Sequence, residues 1–405
     1  MHGIQFPDPA TRQGSMTTDI FAPDACRFFR LFAIRSTAPY CAVLFFWVFF
    51  ILSGPFAQAQ ELPPQWRPLV ARLAAEGLDQ RIVSALFVES SVAYDPEPMA
   101  RKMEELYAIR FGTKLTRNVQ THLVRLGYLD DDIDGKVGPK TRNAVRLFEL
   151  VRGMEITGRV NEALLAVLSQ ETRPMPPGTT LPEEEDRDIV YRTVLTPERL
   201  AEARAFYNAH RGTLAEVHRR YGVPPEIAVG IVTVETRCGL YLGEKSAFAT
   251  LASMAASRDL DILGALIARE QPSAEARRWL LNRMREKADW AQKELVAMFQ
   301  YAGLNRLDPQ HMPGSVYGAI GVCQFMPSNA LEFGVDGDGD GVVDLFATED
   351  ALMSLGNFLS QHGWKRGGNS IQAQRKALYR YNYSKVYVNT VLAVAERLRG
   401  AGTDK

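Results

Sequence analysis

A mainly α-helical protein is predicted by three observations. Apolar residues recur at helical spacing over residues 61–108 and again from Tyr191 to about Gly400, strand signals are few, and the segment 111–170 carries helix-start chemistry of its own. In the first stretch Trp66, Leu69, Leu73, Leu78, Ile82 and Leu86 fall near one helical face; Asp95-Pro96 breaks the pattern, and Met99, Met103 and Leu106 resume it. In the second unit a turn-rich run from Asp130 to Pro139 separates two helical stretches. Pro139 or Thr141 starts a helix in which Ala144, Val145 and Phe148 share a face, and a loop with Gly153 and Gly158 leads to a last helix over 161–169. Residues 171–188 read as a linker: they are rich in Pro, and Glu183-Glu184-Glu185-Asp186 has no apolar period.

The 405 residues suffice for two or three domains. Forty-seven basic residues balance forty-seven acidic ones, which argues against nucleic acid or an anionic membrane surface as partner. The six His are scattered and no Cys/His cluster has zinc spacing, which disfavours a zinc amidase or peptidase. At the N-terminus, Arg27, Arg30 and Arg35 precede an apolar run from Cys41 to Leu52, followed by Gly54, Pro55 and Ala57-Gln58-Ala59. That order reads as a secretory signal over 1–59, cleaved after Ala59, with Met16 an alternative start. The run is short for a bilayer crossing, which needs about 20 residues, so a permanent anchor is the second reading. The chain beyond the signal keeps two cysteines, Cys238 and Cys323, and no Cys stands at the cleavage point to accept a lipid.

Four clusters carry chemistry. Pro224-Pro225 can open a helix whose Ile227, Val229, Ile231, Val232 and Val234 make it apolar nearly all round and therefore buried, with Glu235 at its end before Gly239. A carboxyl there loses hydration and its pKa rises, as a general acid near neutral pH requires; the plainer alternative is a helix-end Glu paired with Arg237. The run from Gly314 to Asn329 has three closely spaced glycines, then Gln324, Phe325 and Met326, a mix of amide and apolar groups suited to N-acetyl sugars, or a loop packing on a helix. Asp336, Asp338, Asp340, Gly341 and Val342 match positions 1, 3, 5, 6 and 7 of a calcium loop; Ala347 replaces the usual Glu at position 12, and Glu349 or Asp350 could supply that carboxylate. A solvated acidic turn is the alternative. Finally Tyr379, Tyr381, Asn382, Tyr383 and Tyr387 offer aromatic faces for sugar rings or for core packing.

Taken together and in this order, residues 191–400 resemble the membrane-bound lytic transglycosylase B family. The strings are Tyr-Gly-Val-Pro-Pro-Glu-Ile (221–227), Val-Glu-Thr-Arg (234–237), Gln-Phe-Met-Pro-Ser (324–328), the Asp-rich loop, His362-Gly363-Trp364, and Tyr381-Asn382 with Tyr387-Val388. Residues 60–110 are similar to that family's N-terminal helices. Residues 111–170 resemble the small three-helix peptidoglycan-binding domain, through Leu126-Gly127-Tyr128, Asp134-Gly135, Gly138-Pro139-Lys140-Thr141-Arg142 and Ala144-Val145-Arg146-Leu147-Phe148. The resemblance implies a lysozyme-like catalytic domain over 189–400 with the binding module inserted before it, and the 171–188 linker reconnecting the two.

By motif position it further implies Glu235 as catalytic acid/base; Tyr191, Ser315, Gln324, Phe325, Met326, Asn329, Tyr381, Asn382 and Tyr387 along the glycan groove, with Arg258 a candidate contact; and calcium on Asp336, Asp338, Asp340, the Val342 carbonyl and Asp350. The implied activity is cleavage of the MurNAc–GlcNAc bond with 1,6-anhydro ends, in the periplasm, by a monomer whose partners are glycan strands and other cell-wall enzymes, with no cofactor for the chemistry. A lysozyme-like hydrolase and a non-catalytic wall-binding scaffold are the alternatives. Cys238 follows the Glu motif and Cys323 precedes Gln324, so a Cys238–Cys323 disulfide clamping helix to loop is one expectation, two buried free thiols the other.

Overall fold

A computed structural model describes residues 61–89, 92–181, 189–366 and 370–400. The expected export segment at 1–59 and the acidic part of the linker, 182–188, lie outside these. The described residues form sixteen α-helices and one two-stranded antiparallel ribbon, β1 (Lys245–Ser246) with β2 (Pro313–Gly314), in register Lys245 opposite Gly314.

The N-terminal helices α1 (Arg67–Ala75), α2 (Gln80–Glu89) and α3 (Glu97–Phe111) pack on residues more than 150 positions away. Trp66 meets Phe87 at 4.9 Å between ring centroids, and Phe87 meets Phe248 of α10 (Ala247–Ala256) at 5.1 Å. Arg72 donates to Gln292 Oε1 at 2.8 Å and to the Ala255 carbonyl at 3.0 Å, and the Asp95 amide donates to Ser253 Oγ at 3.0 Å. The chain leaves this body after α3, forms α4 (Lys114–Arg125), α5 (Pro139–Val151) and α6 (Glu162–Gln170), and returns through α7 (Pro197–Ala209).

The three-helix unit has its own core, in which Val119, Leu123, Val145, Phe148 and Leu168 are fully buried. Thr113 and Asn161 cap α4 and α6, accepting from the Thr116 and Leu164 amides, and Pro139 takes the first turn of α5, where a missing N–H costs nothing. The first residues of the linker are tied to this unit: Glu171 pairs with Arg152 at 2.8 Å, and the Met175 amide donates to the Leu126 carbonyl at 2.8 Å.

The second body continues with α8 (Arg211–Tyr221), α9 (Pro225–Thr236), α10, α11 (Gly264–Glu270), α12 (Ala274–Asn305), α13 (Pro327–Phe333), α14 (Thr348–Gln361), α15 (Ile371–Tyr381) and α16 (Lys385–Gly400). The long α12 buries Leu280, Met284, Ala288, Ala291, Leu295, Met298 and Ala302, a stripe at three- and four-residue spacing that packs against α10 and α13. Ala228, Val229, Ile231 and Val232 make α9 apolar on all sides, and it is enclosed by α7, α8, α14 and α16. Its crossing with α16 is close because Gly230 stands there; a Cβ at that position would lie 2.8 Å from the Val391 carbonyl oxygen.

Candidate active site

Glu235 occupies the last turn of α9, one residue before its end. The helix stops at Thr236, earlier than Gly239 alone would dictate, because Arg237 (φ 55°) and Cys238 (φ 59°) already adopt left-handed backbone ahead of Gly239 (φ 82°). Two successive non-glycine residues in that region cost of order 1 kcal/mol each, so neighbouring groups must hold them. The Cys238 amide donates to the Val232 carbonyl and the Tyr241 amide to the Thr236 carbonyl, both at 2.9 Å. The Arg237 guanidinium grips the Glu202 carboxylate of α7, and Arg199 Nη2 donates to the Thr233 carbonyl at 2.6 Å, facing the last turn of the helix with a cation. Thr236 Oγ1 donates to the Val322 carbonyl at 2.7 Å, which ties the helix end to the glycine-rich loop.

That loop is folded by its own bonds. Ser315 N donates to the Ala319 carbonyl, Ser315 Oγ accepts from the Ala319 amide, and Ile320 and Phe325 exchange amide bonds at 2.8 and 3.0 Å. Gly321 lets the backbone pass so close to Leu345 that a Cβ would fall 2.4 Å from the Leu345 carbonyl oxygen. From below, Tyr381 donates its hydroxyl to the Cys323 carbonyl, and its ring lies parallel to Tyr387 at 6.2 Å.

Glu235, Cys323, Tyr381 and Tyr387 therefore meet in one place. The Glu235 side chain keeps partial solvent access, yet dense apolar surroundings push its carboxyl from the ordinary 4.5 up to about 7, while the facing Tyr387 phenol offsets part of that rise. Neither cause is a second carboxylate. The two tyrosines, enclosed beside this acid, are raised well above their usual value first by burial and then by the neighbouring charge.

The other expected groove residues divide. Tyr191 is tied to the start of α16, its hydroxyl 3.5 Å from Ser384 Oγ, which accepts the Tyr387 amide, and its own amide donating to Thr390 Oγ1. Gln324 is half-buried with φ 51°, its Nε2 turned back to the Gly321 carbonyl at 3.0 Å. Asn329 is half-buried on α13 beside Ser328, whose amide and hydroxyl bind the buried Glu294 at 3.0 and 2.9 Å. Ser315 serves its own turn, accepting the Tyr317 and Ala319 amides.

Four expectations are corrected. Phe325 and Met326, at 2% and 5% exposure, support the loop from beneath instead of offering open faces; Phe325 packs on Phe358 and Tyr381. Asn382, at 9% exposure, and Tyr387, at 1%, likewise belong to the interior, Tyr387 beside Glu235. Arg258 is held by Asp289 of α12 at 2.6 Å beside Arg72, not by the Glu235 cluster. Cys238 and Cys323 are free thiols: Cys238 Sγ lies 3.3 Å from Thr233 Oγ1, while Cys323 Sγ points to the Ala351 carbonyl at 3.1 Å. Each sulfur thus faces its own helix neighbour, and the Thr236–Val322 bond joins helix to loop in place of a disulfide.

In the acidic loop three of the expected donors come together. Oxygens of Asp336, Asp338 and Asp350 lie within 4.8 Å of one another. Asp350, 2% exposed at the start of α14, accepts the Gly337 and Asp344 amides at 2.7 and 2.6 Å, and burial followed by the charge of Asp338 raises its pKa. Hard oxygen donors crowded this way suit a divalent cation. Asp340 is exposed and accepts the Val342 amide through Oδ1, which leaves its second oxygen and the Val342 carbonyl as further donors of the same loop.

Sequence reasoning did not single out Arg199, Glu202 and Thr236, the groups that hold the last turn of α9. Arg199 and Glu202 sit on α7, more than thirty residues from the carbonyl or side chain each engages, and no spacing pattern announces such a pairing.

Residues 154–376 match the transglycosylase SLT domain family, and residues 113–168 match a peptidoglycan binding domain family. Membrane-bound lytic murein transglycosylase B of Escherichia coli (strain K12) is 34% identical over 173 residues, which cover 43% of this chain and 41% of that protein; the match thus spans less than half of that curated relative. Lytic transglycosylase SLT35 of Escherichia coli, solved in complex with calcium, superposes with a TM-score of 0.51 at 17% identity, covering 86% of this chain and 98% of that one, and so shares its fold. With the SLT match extending over more than half of its length, the chain belongs to the transglycosylase SLT domain family.

Proposed function

We propose that the protein is a lytic transglycosylase that cuts the β-1,4 bond between N-acetylmuramic acid and N-acetylglucosamine in peptidoglycan, leaving 1,6-anhydro ends. The observation that carries this reading is one enclosed carboxyl, Glu235, raised to about 7 and faced by tyrosines with no second carboxylate among the causes of its shift. Most glycosidases pair two carboxylates roughly 5–9 Å apart; a one-carboxylate site needs the substrate's own acetamido oxygen in their place.

Protonated Glu235 donates its proton to the glycosidic oxygen as that bond breaks. The acetamido oxygen closes on the anomeric carbon and stabilises the developing cation. Glu235, now a carboxylate, removes the proton of the muramoyl 6-hydroxyl, whose oxygen then displaces the acetamido oxygen. No water is consumed, and the internal attack gains from proximity. A pKa near the working pH lets one group act as both acid and base. Tyr387 sits against the carboxyl and steadies its charged form. Tyr191, Gln324, Asn329 and Tyr381 are the proposed groove contacts, while Phe325 and Met326 support them.

Asp336, Asp338 and Asp350 would hold Ca2+, a cation named in the complex of the similar SLT35 structure. The ion would supply no chemistry to the bond cleavage; it would neutralise the three clustered carboxylates, of which Asp350 is buried. The segment 113–168 is proposed to hold wall polymer near the cleft. The proposed setting is the periplasm, where the wall polymer lies. Separately, no described helix is long and apolar enough to cross a membrane.

Mass analysis of the products released from purified sacculi tests the reading. Anhydro ends, 18 Da lighter than reducing ends (the mass of one water), are expected. Reducing ends would identify a hydrolase, and absence of products a binding scaffold.

A further inference from the structure

Away from Glu235, one cleft gathers cations where the inserted unit meets the larger body. Leu106, Ile109 and Arg110 of α3, Lys136 from the loop before α5, and Trp279 and Arg283 of α12 line a groove of about 350 Å3. Three of these six side chains are cationic and none is acidic, in a chain whose acids and bases balance. Arg283 also pairs with Glu286. Asp134 lies near Lys136 and offsets part of its charge, its carboxyl held below the usual range first by the Gln120 Nε2 bond at 3.0 Å and then by the Lys136 amide at 2.8 Å. Arg110 has no carboxylate partner among the described residues. Trp279 stands edge-on to Phe111 at 5.2 Å, and Ile109 is 63% exposed.

The groove is built into the junction. Only Gly112 and Thr113 separate α3 from α4. At Gly112 (φ 72°) a Cβ would fall 2.6 Å from the Asp134 carbonyl oxygen, so the loop carrying Lys136 lies directly on the connection. The Thr113 amide donates to the Gly135 carbonyl at 2.8 Å, and Arg117 Nη2 reaches back to the Phe111 carbonyl at 2.8 Å. From the larger body, Glu270, 7% exposed, accepts the Lys114 amide at the start of α4 at 2.9 Å. These bonds hold the Lys136 wall over the α3–α12 wall before any ligand arrives, which lowers the ordering cost of binding.

We propose that this groove is an accessory site for a carboxylate-bearing peptide, namely the acidic stem attached to the glycan strands that the proposed function cuts; it rests on that reading for its biological ligand. Arg110, Lys136 and Arg283 receive the carboxylates, and guanidinium groups suit them by geometry as well as charge. Leu106, Ile109 and Trp279 cover the aliphatic stretches between them.

The test uses the full chain carrying Glu235→Gln and titrates it with L-Ala-γ-D-Glu-L-Lys-D-Ala and with the same peptide bearing amidated carboxylates. The acidic peptide is expected to bind at least about tenfold more tightly, with a preference that shrinks as salt rises. Arg110→Glu and Lys136→Glu, one from each wall, should each abolish the preference, whereas Arg110→Lys retains it. Both residues are surface positions, and an unchanged melting temperature verifies the fold. Equal affinity for the two peptides, or a preference that survives both reversals, would overturn the assignment. The muropeptide masses from the unaltered protein read the chemistry independently: anhydro ends without peptide preference sink the groove alone, and reducing ends with the preference intact sink the transglycosylase reading alone.

Discussion

Replacing Glu235 by Gln separates catalysis from stability in opposite directions. In the folded protein the carboxyl is raised from 4.5 to about 7, so the fold keeps a proton that the unfolded chain releases. Between those two values the native state binds more protons than the unfolded state, and stability falls as pH rises. At 1.36 kcal/mol per pH unit the full loss is about 3 kcal/mol, an upper figure because the side chain keeps some solvent access. Glutamine fills nearly the same volume and cannot ionise. The variant should therefore match the wild type to within about 0.5 kcal/mol near pH 4, where the wild-type carboxyl is mostly protonated in both the folded and the unfolded chain, and exceed it by up to about 3 kcal/mol near pH 8. Urea denaturation at pH 4, 6 and 8 measures this directly, since a shift in midpoint at constant slope is a change in stability. Turnover on sacculi should vanish at all three pH values. A stability difference that is flat with pH, or that grows toward acid, would refute the claim that the fold holds this carboxyl protonated. Near-normal turnover would refute its catalytic role.

Other consequences follow from single contacts. Tyr387→Phe removes the phenol that draws the Glu235 pKa downward, so the descending limb of the pH–rate profile should move to higher pH, and an unmoved or lowered limb would count against that pairing. Thr236→Val deletes the 2.7 Å bond to the Val322 carbonyl and leaves that carbonyl without the donor, with an expected loss of about 1–3 kcal/mol in denaturant titrations and a lower kcat as the last turn of α9 loosens. Gly230→Ala forces a methyl against the Val391 backbone at the α9–α16 crossing; a loss of about 1–3 kcal/mol is expected, and a neutral result would mean the two helices separate easily. Calcium should raise the melting temperature of the wild type and a chelator should reverse it, while Asp350→Asn should show little response to either.

Which parts were legible follows from how each is encoded. Helices with a one-sided or all-round apolar pattern, such as α9 and α12, were visible because side-chain spacing is local. Glu235 was visible as an acid at the end of an apolar helix, and the trio Asp336, Asp338 and Asp350 because its carboxylates lie within one short stretch. Pro content and an acidic run mark 171–188 as a linker, yet its first residues are pinned by Arg152 and Leu126, partners that lie outside the linker itself. Arg258 was misplaced because a motif position says nothing about where a long side chain turns, and Asp289 of α12 claims it.

The amino-acid pattern by itself determined the helical class, the three-helix insertion, the carboxyl at the end of the apolar helix and the acidic loop, since each rests on residues close in the chain. Only the tertiary structure decided what surrounds them. It enclosed Glu235 with Tyr381 and Tyr387, nearly 150 residues on. It bound the helix end to the loop through Thr236 and Val322 and left both cysteines as thiols, and it turned Phe325 and Met326 inward. Burial, pKa and side-chain direction depend on which distant segments pack together, and that is set by the whole core at once.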